Sequence, residues 1–167
     1  MKRIIAYIML LLMCGSTAIM AQNSSDSELK LREGSRLREV DYTYISPWML
    51  KSMKQKDLME FADIPLDKLK HIEILKTQTQ GLNSGFSHIV NKLSDEPGFK
   101  LVGYNRDGEK GVKICVDSKK NPESPEGDEE EIHRILMIQW DYFGSEHTVV
   151  YIVGNFTRDD VSSLFHF

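Results

Sequence analysis

The chain has 167 residues, of which 41% are hydrophobic and 28% charged, and this suits a single globular domain. Two cysteines are too few for a disulfide scaffold. With 21 Lys plus Arg against 25 Asp plus Glu, the net charge is −4, which disfavours binding driven by neutralising nucleic-acid phosphates.

Residues 1–21 have the layout of a secretory signal peptide. Lys2 and Arg3 precede the apolar stretch Ile4–Met13, and Gly15, Ser16 and Thr17 lead on to Ala21. That stretch is too short to span a membrane, which takes ~20 apolar residues. Cleavage after Ala21 is expected, with the protein exported to the periplasm or beyond. The mature chain would then keep 146 of the 167 residues, and losing Lys2 and Arg3 would take the charge from −4 to −6. Lipidation at Cys14 is the competing reading and the one route to a membrane; Met13, a bulky residue just before it, disfavours acylation. Without Cys14, Cys115 has no partner for an intramolecular disulfide. It sits in the apolar run Val112–Val116 and reads as a small buried hydrophobe.

Residues 22–39 are polar without periodicity and are expected to form a flexible lead, with one α+β domain over 40–167. Tyr42–Ile45 reads as a strand. Ser46-Pro47 is a helix start, followed by Trp48, Met49, Leu50 and Met53 as a buried face that Leu58, Met59 and Phe61 extend. Ile72, Ile74 and Leu75 mark a second strand. Leu82, Phe86, Ile89, Val90 and Leu93 share one helical stripe, which ends at Pro97-Gly98. Phe99–Tyr104 and Val112–Val116 flank an Asp107-Gly108 hairpin signal. Ile132–Phe143 and Thr148–Gly154 flank a second turn. Between the hairpins, Asp117–Glu131 holds seven acidic residues against two lysines and reads as a solvated loop. Thr157 caps a closing helix, with Asp159 and Asp160 in its first turn. The order predicts an α+β fold: a mostly antiparallel sheet of about five to six strands with two to four short helices.

The second hairpin is apolar on both faces. Leu136, Ile138, Trp140 and Tyr142 point one way; Ile135, Met137 and Phe143 point the other. Either helices cover both faces, or one face meets a second copy or another envelope protein.

No sequence motif for a phosphate loop, a dinucleotide fold, a nucleophile elbow or a zinc protease is present, and no catalytic, cofactor-binding or metal-binding residue is assigned. His71 and Glu73 share a strand face, but two ligands do not make a zinc site, and they read as surface polar residues. His147 is expected in a turn, facing solvent. Tyr44, Trp48 and His71 are the candidates for a ligand groove. The favoured function is a non-catalytic interaction or self-associating module; the alternative is a small-ligand binder or hydrolase at those three residues.

Several of these segments together resemble one family. They are Tyr44–Leu50, His71–Leu75, the helix through Phe86, the two hairpins, and the ending Gly154–Thr157 before Leu164. The chain is similar over about Val40 to Phe165 to the family called domain of unknown function 4252, small exported proteins of Bacteroidota. The acidic stretch Asp117–Glu131 departs from that pattern. The resemblance implies an envelope location and no particular activity, and it carries over no functional residue.

Overall fold

A computed structural model describes residues 29–52, 65–77, 84–120, 130–141 and 146–162. Six strands form one antiparallel sheet: β1 (Val40–Ile45), β2 (Leu69–Thr77), β3 (Phe99–Asp107), β4 (Lys110–Lys120), β5 (Glu130–Asp141) and β6 (Glu146–Phe156). The helices are α1 (Pro47–Ser52), α2 (Ser84–Ser94) and α3 (Arg158–Ser162). The spatial order is β1-β2-β6-β5-β4-β3. After α2 the chain therefore resumes at the far edge, and a four-strand meander walks back until β6 pairs with β2. The α+β architecture expected from the element order is the one observed.

Local chemistry explains the ends of the elements. The Met49 N–H donates to Ser46 Oγ at 3.2 Å and starts α1. At α3, Thr157 and Asp160 cap each other: the Asp160 N–H donates to Thr157 Oγ1, and the Thr157 N–H donates to Asp160 Oδ2. The β3–β4 turn is the tight pair Gly108-Glu109, with Gly108 at φ +59°, a conformation that glycine adopts without steric cost. The sequence predicts a longer loop from Asn105; the strands instead run on to Asp107 and from Lys110.

Away from β3, both sheet faces are buried by the chain itself. On one, Ile72, Ile74, Ile114, Ile135 and Ile152 pack with Leu50 of α1 and Val161 of α3. On the other, Leu75, Cys115, Leu136, Val149 and Tyr151 pack with Phe86, Ile89 and Leu93 of α2, and with Leu31. The double apolar character of β5 and β6 is thus the mark of central strands covered on both sides.

Leu31 corrects the domain boundary. Residues 29–37, expected in the polar lead, form a strap packed on the domain, with a 3₁₀ turn at Arg32–Arg36, laid across the sheet beside α2 and β1. Leu31 is 0% exposed, a burial worth ~1.5–3 kcal/mol. Gly34 lies so close to the Leu75 side chain that a Cβ would overlap it. The acidic segment is also shorter than expected as a loop, because Asp117–Lys120 belong to β4 and Glu130–Glu131 to β5. Met53, Leu58, Met59, Phe61, Leu82, Phe143, Leu164, Phe165, the remainder of the acidic loop and the leader through Ala21 lie outside the described residues.

Candidate functional site

The sheet face under the strap and α2 carries a buried polar cluster. Alternation along β2 turns His71, Glu73 and Leu75 to this face, and the neighbouring strands add Tyr42 and Tyr44 from β1 and Tyr151 from β6. His71 is 5% exposed and Glu73 0%, so the expectation of surface polar residues is corrected. Strap and helix roof them over, and a carboxylate so enclosed must have its lone pairs filled. Main chain fills them. The Lys30 N–H donates to Glu73 Oε1 and the Leu31 N–H to Oε2, both at 2.9 Å, and the Tyr42 hydroxyl donates to Oε2 at 3.0 Å. Burial first, and then the Glu73 charge, push the Tyr42 hydroxyl well above its ordinary pKa, so it stays a donor. His71 Nε2 lies 3.7 Å from Glu73 Oε1 and has no hydrogen-bond partner among the described residues. Its ring sits 5.7 Å from that of Tyr44 and 6.4 Å from that of Tyr151.

A second set of charges joins the cluster to α2. Arg134 donates from Nε to Asp117 Oδ2 at 2.7 Å, reaches Glu96 Oε1 at 3.2 Å, and stacks over Phe99 at 4.9 Å. Burial opposes the Arg134 charge, but the Asp117 and Tyr151 hydrogen bonds outweigh it and hold its pKa above the ordinary value. Burial also pushes Tyr151 up, to about 12. Glu96 Oε1 accepts from Lys30 Nζ at 2.8 Å as well. Burial works against the Glu96 charge, yet Lys30 and Arg134 keep its carboxyl below the usual range. A cleft of about 360 Å³ opens here, lined by Lys30, Glu33, Ile89, Lys92, Leu93 and Glu96.

The three residues expected to share a ligand groove are not brought together. Tyr44 and His71 touch, but Trp48 stands on α1, 72% exposed, because Met49 and Leu50 take the inward positions of that short helix. The 360 Å³ cleft contains none of the three. Of the residues proposed as a partner surface, Ile135 is 0% exposed and Met137 is half-buried against the same core, while Phe143 lies outside the described residues. His147, expected in a turn, belongs to β6 and is 2% exposed beside Phe86. Its burial lowers its pKa. Cys115 is buried, and burial pushes its thiol up, away from the thiolate a nucleophile needs. Among the described residues no three His, Cys, Asp or Glu side chains gather in a metal-binding group, and no helix is long and apolar enough to cross a membrane.

The large apolar side chains that remain exposed lie elsewhere. Among the described residues they are, besides Trp48, Leu101, Val102 and Tyr104, all on β3. Sequence reading missed this set, since β3 looks like any hairpin arm until its place at the sheet edge is known.

The architecture is thus a two-faced antiparallel sheet whose buried charges are engaged with one another and with main chain. A family model matches residues 35–164, and the chain belongs to that family, described as Domain of unknown function (DUF4252). No curated protein and no solved structure matches the chain.

Proposed function

We propose that the protein is an exported, non-catalytic module that associates with a second copy of itself along the open edge of its sheet. One observation carries this reading: β3 is an edge strand with Leu101 and Tyr104 each 58% exposed and Val102 47% exposed. An unpaired strand edge offers main-chain donors and acceptors to another strand, and apolar side chains beside it add area to bury. Charge complementarity favours a second copy. Lys100 stands near one end of β3 and Asp107 at the other, so two antiparallel copies set opposite charges together at both ends. The bulge between Leu101 and Gly103 lies beside these exposed apolar residues and gives the edge a local twist. Export is supported by the positive, apolar and small-residue succession of residues 1–21.

Light scattering on the mature protein, with and without Leu101→Lys plus Tyr104→Lys, tests the association. A dimer that becomes a monomer on substitution is the expected result; a wild-type monomer at every concentration refutes the reading. Amino-terminal sequencing of the periplasmic fraction tests export, with Gln22 expected as the first residue.

A further inference from the structure

We infer that the groove beneath the strap is a peptide-binding site for a Leu-x-x-Gly turn, filled in cis by residues 29–37 and open in trans to the same segment of a second copy. This goes beyond association through β3, which lies at the opposite edge of the sheet.

Four features make the groove a receptor. Glu73 takes two successive main-chain N–H groups, those of Lys30 and Leu31, so it captures backbone whatever the side chains, while Tyr42 steadies the carboxylate. Leu31 enters the apolar cluster of Leu75, Phe86 and Leu93 and is wholly enclosed. Three residues on, the absence of a side chain at Gly34 lets the turn lie against Leu75. The flanks are read by charge, Lys30 to Glu96 at 2.8 Å and Glu33 to Lys92 at 3.6 Å.

Two further features make the ligand detachable. The strap pairs with no strand, so it can lift without breaking a ladder; β1 keeps its full register with β2. It joins β1 through Glu39 at φ +62°, the one left-handed non-glycine among the described residues. That conformation is unfavourable for a residue with a Cβ, and lifting the strap releases it. Tethering keeps the strap at home in an isolated chain, and crowding of copies shifts the balance toward exchange.

The test uses the full chain carrying Leu31→Asp, which ejects the resident strap, and a fluorescent peptide of residues 29–39 followed by anisotropy. The peptide should bind this chain at least tenfold more tightly than it binds wild type, whose groove is filled. Adding Glu73→Gln should weaken binding at least tenfold, because one of the two carboxylate acceptors is lost. A folded Leu31→Asp chain that ignores the peptide overturns the inference. If that variant fails to fold, hydrogen exchange on wild type decides. The Lys30 and Leu31 amides should exchange at least a hundredfold faster than those of Val149–Ile152, and equal rates overturn it.

Discussion

The two edges of the sheet are finished in opposite ways. At β1 the chain doubles back: the strap lies against the strand, and Thr77 Oγ1 donates to Glu39 O at 3.1 Å to hold the turn between them. Behind that edge Glu73 is sealed from water and Leu31 is fully enclosed. At β3 no described residue gives such cover, and seven of its nine residues are exposed. Even Trp140, reaching across Gly111, meets Tyr104 only at a ring distance of 5.9 Å along the rim. A sheet edge is a hazard unless it is covered, charged or used. One end of this sheet is closed by its own chain. The other carries a bulge and a few charges, so buried contacts gather at one end and exposed apolar side chains at the other.

That division is exposed to test, and the effects should fall in order. Glu73→Ala strips the partner from two buried amides and a tyrosine hydroxyl, and should cost about 4 kcal/mol in denaturant unfolding. Leu31→Ala, on the same end, should cost about 3 kcal/mol by leaving a cavity. Thr157→Ala, which removes the α3 cap, should cost about 1 kcal/mol. Leu101→Lys with Tyr104→Lys should change stability by less than about 0.5 kcal/mol at protein concentrations where the chain is monomeric. A β3 pair as costly as Leu31 would mean that the two ends do not differ.

Acid should reveal the closed regions first. Burial lowers the His147 pKa, so below the ordinary value of ~6.5 the unfolded chain takes up a proton that the folded chain refuses. Stability should therefore fall as pH drops through that point, and His147→Gln should flatten this part of the profile. Glu96 and Asp160 have lowered pKa values and act at more acid pH, their contribution being lost as pH falls below the ordinary carboxylate range. Denaturation midpoints taken from pH 8 to pH 3 check both steps.

Much of the fold is legible from local pattern. The apolar stripe of α2 from Phe86 to Leu93, a hairpin turn using Gly108 and the Thr157 cap each depend on neighbours a few residues away, and the structure has all three, with the turn at Gly108-Glu109. The doubly apolar β5 and β6 announce central strands, and they occupy the middle of the sheet. The polar latch is a different matter. Alternate polar residues on β2 look like a wet face, because what dries them is a strap far away in sequence. That strap binds through backbone amides and one glycine, so its polar side chains conceal it. Trp48 misleads for the opposite reason: a short helix has room for few inward positions, and Met49 and Leu50 fill them. The exposed strip of β3 depends on strand order, which no local pattern encodes.

The single seam between the two halves of the sheet is the pairing of β2 with β6, where Leu69 meets Gly154 and Thr77 meets His147. The last strand made is thus the one that the second strand awaits. Loop closure over so long an interval is slow, and such contacts form late in folding. Until residue 156 is present the sheet cannot close, so β1 and β2 wait for the final strand before they join the meander. In this topology the timing of folding is set by the position of the final strand.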